Sequence, residues 1–320
     1  MSSDAVDADP RPLSVGISTR DRPESLARCV KSLALLGDLV REVIVVDDCS
    51  AVPLEAALRR SLGADFPLPV RVVRQQSNEG YIVARNLIVK AARGEFVLNL
   101  DDDAFVLDAG AVRRALELMG CDERVGVVAF AQAEATGEPW PVGMQPSPAK
   151  YPCYIPSFIG FAHLLRREVF LSLGGYRDSF FFYGEEKEYC LRLLDAGLHV
   201  VYLPEALVAH VPDPAGRSGQ KYLRYTVRNN CLGALYNEPL PMLLLSLPLR
   251  LALYFRMRRG WKIEDPGGFS WVIRQVLSAM PSVWRARSPL KWATFRRWRA
   301  LRQQWPPYPV GSPGGKAPGL

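Results

Sequence analysis

At 320 residues, with 48% hydrophobic and 23% charged residues, the chain has the balance of a globular protein, with room for one large domain plus an appendage or for two domains. Its net charge of +7 hides an asymmetry: residues 241–320 carry fourteen Lys+Arg against two acidic residues, and residues 1–240 carry 26 against 31. The acidic N-terminus has no basic and apolar signal-peptide regions, and the six cysteines include no Cys-x-x-Cys pair, which argues for reduced thiols in the cytoplasm and against a disulfide framework or a zinc site.

Residues 1–11 read as a disordered start, and a domain over 12–215 follows. Leu13–Ser18 reads as a strand, and Pro23–Leu36 as a helix with Asp21 or Arg22 near its cap. Glu42–Val46 is a continuous apolar run, as in a parallel strand covered on both faces. A helix over Pro53–Leu62, a strand over Val70–Val73 and a helix over Gly80–Ala92 come next. Strands at Phe96–Leu100 and Val125–Phe130 flank a helix at Ala109–Met119. This rhythm predicts an open, mostly parallel, Rossmann-like α/β sheet, whose ligand crevice lies beyond the carboxyl ends of the strands. Thr19-Arg20, Asp47-Asp48 and Asp101-Asp102-Asp103 all fall there.

The acidic triplet carries the most chemistry. Three carboxylates at the mouth of a buried strand repel one another and raise each other's pKa unless a cation sits among them. Their spacing suits a hard divalent ion that also holds phosphate oxygens. The competing reading is a solvated acidic turn.

Residues Thr136–Pro156, rich in Pro and Gly, read as a long loop over the active site. Regular structure resumes at Gly160–Leu165, followed by helices to Leu173 and over Glu185–Ala196. Strands are expected at His199–Leu203 and Ala206–His210. A helical, basic extension is expected over 216–305, with a helix at Tyr222–Tyr236. Leu240–Phe255 is apolar, but reads as too short and too interrupted by Pro248 and Arg250 to span a bilayer, which takes ~20 apolar residues. Leu290, Thr294, Trp298, Leu301 and Trp305 share one helical face among Lys291, Arg296, Arg297, Arg299 and Arg302. Such a helix either meets an anionic membrane surface or packs on the domain behind a basic rim. Residues 306–320 read as a disordered tail. The basic charge lies in the extension and no base-reading motif is present, so nucleic acid is not an expected partner.

Several motifs occur in order: Ser14-Val-Gly-Ile-Ser-Thr-Arg20, Val43-Ile-Val-Val-Asp-Asp-Cys-Ser50, Asn78-Glu-Gly80 with Ala84-Arg85-Asn86, Asp101-Asp102-Asp103, Gly174-Gly-Tyr176, Phe182-Tyr-Gly-Glu-Glu186, Pro204-Glu-Ala206 ending at His210, and Arg228-Asn229. Over roughly 12–230 the chain resembles glycosyltransferase family 2, the non-processive bacterial-type enzymes of GT-A fold, such as the rhamnosyl and glycosyl transferases of cell-surface polysaccharide synthesis. The Gln-x-x-Arg-Trp signature of processive synthases is absent.

The resemblance implies a metal-dependent, inverting transfer of a sugar from a nucleotide diphosphate sugar to a hydroxyl acceptor. It implies that Thr19 and Arg20 contact the base or ribose. Asp47 accepts from the base, or builds a turn with Ser50; Asp48 joins it or supports that turn. Asn78 and Gly80 belong to the donor site, at a helix start that favours the diphosphate, or Asn78 simply caps that helix. Arg85 reaches the diphosphate or makes an intra-domain salt bridge. Asp101 and Asp102 belong to the donor site. Asp103, Asp101 and His210 hold manganese or magnesium, the imidazole favouring manganese. Glu186, where relatives carry Asp, is the general base; Glu185, Tyr183 and Arg228 serve the acceptor or support it. Pro139–Phe161 and Phe180–Tyr183 form the pocket walls. The expected partners are the donor, a saccharide or lipid-linked acceptor and an anionic membrane surface, which places the chain in the cytoplasm at the inner membrane face. A non-catalytic nucleotide-sugar scaffold, or a nucleotidyltransferase, is the alternative.

Overall fold

The structure, a computed structural model, describes residues 11–212 and 218–309. The boundary expected at 215–216 and the ends at 1–10 and 310–320 lie outside the described residues. Nine strands form one sheet: β1 (Leu13–Thr19), β2 (Val40–Asp47), β3 (Val70–Arg74), β4 (Phe96–Asp101), β5 (Ala104–Val106), β6 (Val125–Ala133), β7 (Cys153–Ile155), β8 (Ala162–Arg166) and β9 (His199–His210). Their order is β3-β2-β1-β4-β8-β6-β9-β5, with β7 also on β9. The first four strands are parallel; β8 lies antiparallel between β4 and β6.

The helices are α1 (Pro23–Ser32), α2 (Glu55–Leu62), α3 (Tyr81–Ala91), α4 (Ala109–Cys121), α5 (Arg167–Ser172), α6 (Glu185–Asp195), α7 (Gly219–Asn237), α8 (Leu240–Gly260), α9 (Gly268–Arg285) and α10 (Trp292–Gln304). Alternate strand residues feed opposite faces of the sheet. Val43 and Val45 of β2 join a core with α1 and α4, whereas Ile44 and Val46 join one with α3, α6 and α7. Burial on both faces explains the unbroken apolar run of β2.

Some expectations change. The first helix ends at Ser32 and tightens into a 3-10 stretch over Leu33–Leu39. The closing strands are one 12-residue strand, whose register against β6 slips between Phe130 and Ala131, opposite Leu203 and Leu207. Asn78 is not a cap: α3 starts from Gly80, at φ +87°, and Asn78 is exposed. Residues 306–309 are not a loose tail. Pro306 accepts from the Tyr154 N–H, and the Tyr308 N–H donates to Pro152, so this segment covers the free edge of β7.

Two corrections concern the extension. In α10, Thr294 and Leu301 are buried, Trp298 packs on the core, and Thr294 Oγ1 bonds Asp195. The tryptophan face therefore meets the domain, because burying those rings against α6 and β7 removes them from water. In α8, Pro248 and Arg250 do not interrupt the helix. It runs unbroken for 21 residues, long and apolar enough by length and composition to cross a membrane. Arg250 is accommodated by pairing with Glu238.

Candidate active site

β4 ends in Asp101, and the turn to β5 carries Asp102 and Asp103. The far end of β9 brings His210 to the same place, since Ala104 pairs directly with His210. One ligand atom from each of Asp101, Asp103 and His210 lies within 4.8 Å of the others. Asp103 is 3% exposed; its Oδ1 lies 3.4 Å from His210 Nε2, and Arg22 Nη1 lies 3.5 Å from its Oδ2.

The surroundings fix the histidine. His210 Nδ1 lies 2.6 Å from Gln132 Oε1, and the Gln132 amide nitrogen donates to the Met144 carbonyl. The amide oxygen therefore faces the imidazole and orients it through Nδ1, which leaves Nε2 facing Asp103. Trp140 and Phe161 stack on the ring, at centroid distances of 5.4 and 4.9 Å. Two carboxylates and an oriented imidazole form a donor set that fits a divalent ion.

Asp102 turns away from this cluster. It is buried, accepts from Thr19 Oγ1 at 2.7 Å and pairs with Arg22 at 3.1 Å. Burial pushes its pKa up to about 6, against the pull of Arg22 and the Thr19 hydrogen bond. Thr19 thus orders the acidic turn. Arg20 is exposed at the crevice, 3.4 Å from Asp21.

The acids ending β2 hold loops. Asp47 accepts from the backbone of Ser50 at 2.8 Å and Leu54 at 3.3 Å, and from Arg74 at 3.2 Å, so both oxygens serve the turn. Asp48 accepts from the N–H groups of Glu79 and Gly80 at 2.8 and 2.9 Å, tying β2 to the start of α3; burial raises its pKa. A Cβ on Gly80 would stand 2.7 Å from the Phe181 carbonyl, so that junction needs glycine.

Arg85 is 2% exposed. Its guanidinium donates to Asp101 at 2.6 Å, to Glu185 at 3.0 Å and to the Gly160 carbonyl at 2.7 Å. Of its two expected roles, the structure has the intra-domain ion pair, joining the acidic turn to α6. Glu185 is fully buried and also accepts from Tyr81 OH at 3.1 Å. Glu186, the next residue, stays partly exposed and lies against Gly160. Burial raises the pKa of both, and Arg85 opposes the rise.

The loop before α6 is strained: Phe181 and Tyr183 have φ of +60° and +64°. Asn229 holds it, donating to the carbonyls of Phe180, Phe182 and Tyr183 at 3.0, 2.7 and 2.6 Å. The Tyr183 N–H donates to Tyr81 OH. Arg228 donates to the Ser179 carbonyl at 2.8 Å and to Asn229 at 2.7 Å, which gives it a supporting place.

Gln132 is not marked by the sequence, and Trp140 and Phe161 are marked only as part of the expected pocket wall; Arg22 reads there as a neighbour of a helix cap and Asn229 as part of the Arg228-Asn229 motif, neither with the role found here. Trp140's place in a Pro-rich loop was the available signal. Nothing local marks Gln132, a polar residue inside a buried strand.

The glycosyl transferase family 2 profile matches residues 14–174. The pre-mycofactocin glycosyltransferase of Mycobacterium tuberculosis is 32% identical over 234 residues, covering 65% of this chain and 46% of that protein. The chain thus spans about half the length of the curated relatives it matches. The mannosyltransferase PcManGT from Pyrobaculum calidifontis, solved with GDP-Man and Mn2+, superposes with a TM-score of 0.57 at 16% identity, covering 90% of this chain and 84% of that one. The S. aureus TarS 1-349 structure gives 0.58 at 16% identity, covering 86% and 83%. These likenesses establish the GT-A fold. With the profile spanning half of its residues, the chain belongs to glycosyl transferase family 2.

Proposed function

We propose that this chain moves a single sugar from a nucleotide diphosphate sugar to a hydroxyl acceptor, with inversion and without a covalent intermediate. The observation that carries the reading is the convergence of Asp101, Asp103 and His210 beside a base-bearing helix that Arg85 ties to the same turn. The solved relative with GDP-Man and Mn2+ supports a nucleotide-sugar donor and manganese. Asp101, Asp103 and His210 would hold the ion; when bound, it neutralises charge on the departing diphosphate.

Glu186 is the general base. Its carboxylate takes the acceptor hydroxyl proton as the oxygen bonds to the anomeric carbon, while the bond from that carbon to the diphosphate oxygen breaks. Glu185, its oxygens held by Arg85 and Tyr81, fixes the start of α6 and so the position of Glu186. The acceptor is a saccharide, lipid-linked or cell-surface, and the enzyme works in the cytoplasm, peripherally at an anionic inner membrane face.

A thermal-shift series tests the donor site: UDP-, GDP- and dTDP-sugars with manganese, with EDTA, and with Asp103→Ala. Stabilisation by one nucleotide class, dependent on metal and lost in the variant, is the expected result. No shift with any donor would overturn the reading. Glu186→Gln should keep the donor shift and lose ~10²–10⁴-fold in turnover; turnover kept in that variant removes the base assignment, and no turnover in the native chain leaves the scaffold.

A further inference from the structure

A helix that is apolar all round is normally enclosed, yet α8 is buried on one side only. Its inner stripe is fastened to the domain. Leu243 and Tyr254 are buried, Ser246 and Arg250 both bond Glu238, and Tyr254 OH donates to Asp265 at 2.9 Å. Its outer stripe faces water: Leu244, Leu245 and Leu249 are 74%, 75% and 72% exposed, and Leu240 and Phe255 are each 52% exposed. No charged side chain interrupts that stripe from Leu240 to Phe255. Exposed Arg256, Arg258, Arg259 and Lys262 then close it, beside exposed Trp261.

We propose that this face of α8 lies in the plane of an anionic bilayer, its leucines entering the headgroup–acyl boundary and the basic cluster meeting lipid phosphates. The proposal rests on the peripheral membrane location given above and names the element responsible, replacing the tryptophan face of α10.

Three observations favour a lipid surface. The basic cluster, within residues 241–320 that carry fourteen basic against two acidic residues, complements anionic lipid and would repel a second copy of the same face. The tryptophan beside the basic cluster suits the interface, where aromatic rings concentrate. Pro248 removes the N–H that the Leu244 carbonyl would accept from; such a carbonyl is tolerated among headgroups and costly in the hydrocarbon centre. The inner stripe argues against spanning, because α8 leaves the domain only by stripping Arg250 and Ser246 from buried Glu238 and the Tyr254 hydroxyl from Asp265.

The test is flotation of the full chain with vesicles of phosphatidylcholine alone and of phosphatidylcholine mixed with phosphatidylglycerol. The native chain should float with the mixed vesicles and detach in high salt. Leu244→Glu/Leu245→Glu/Leu249→Glu should bind at least ~100-fold more weakly, as three leucines are lost from the apolar contact. Its circular dichroism and its donor thermal shift should stay native, since these positions are exposed. Arg296→Glu/Arg299→Glu in α10 should float nearly as the native chain does. If the native chain floats and the leucine variant floats equally, α8 is not the contact, though the peripheral location stands. If the native chain does not float, both fall while the donor assay still judges the catalytic reading. If sedimentation without vesicles shows a dimer that the leucine variant makes monomeric, the face is a dimer interface and the proposal is overturned.

Discussion

Gly160 lies where β8 approaches the site, between two functional side chains. A Cβ there would stand 2.5 Å from Glu186 Oε1 and 2.9 Å from Arg85 Nη1. Gly160→Ala should therefore push the proposed base Glu186 aside, and a 1 Å misplacement costs ~100-fold in rate. Measured kcat should fall by about that factor while the melting temperature changes little; an unchanged kcat would mean that Glu186 is free to move without consequence. A second expectation concerns pH. As the proposed base Glu186 would act as a carboxylate, and desolvation raises its pKa, so kcat should rise with pH along an acid limb lying above the ~4.3 of an ordinary glutamate. That limb belongs to Glu185 and Glu186 jointly, since the pair is coupled. A kcat–pH profile with its acid limb in the ordinary glutamate range would contradict the assignment of the base to this pair.

Among elements, the segment from Phe180 to Gly184 stands out because its strain is held from another helix. The two N–H groups of the Asn229 amide on α7 are shared among three of that segment's carbonyls, at ~1 kcal/mol net per N–H, so Asn229→Ala should cost about 2 kcal/mol in chemical denaturation. Donor binding should survive, whereas the acceptor KM should rise; a stable variant with native kinetics would show that the loop keeps its shape alone. Such cross-chain dependence separates what the sequence discloses from what it withholds. The strands β1, β2 and β4 are legible because burial on both faces writes itself as unbroken apolar runs. The acidic turn is legible because three adjacent carboxylates have few structural uses. The division of labour among acids is not. Asp47, Asp48 and Asp102 have the same side chain as Asp101 and Asp103, and only the placement of Ser50, Gly80 and Thr19 assigns the first three to loops. The α10 face likewise reads equally well as lipid-facing or core-facing, because apolar burial gives both the same spacing.

At the scale of the whole molecule, the extension is part of the catalytic body. α10 packs on α6, the helix that begins with Glu185 and Glu186, and Arg297 reaches His199 at the start of the strand that ends in His210. Residues from the last fifth of the chain thus brace α6 and the first residue of β9. The consequence is sharpest at the covered edge of β7. A ribosome delivers Pro152–Ile155 about 150 residues before Pro306–Tyr308, which occupy that edge. In the interval the nascent protein carries an open strand edge, a template on which chains associate. Termination after Gln304 makes that interval permanent, so such a product should collect in the insoluble fraction on expression while the full chain stays in the supernatant; equal partition of the two would show that β7 guards its own edge.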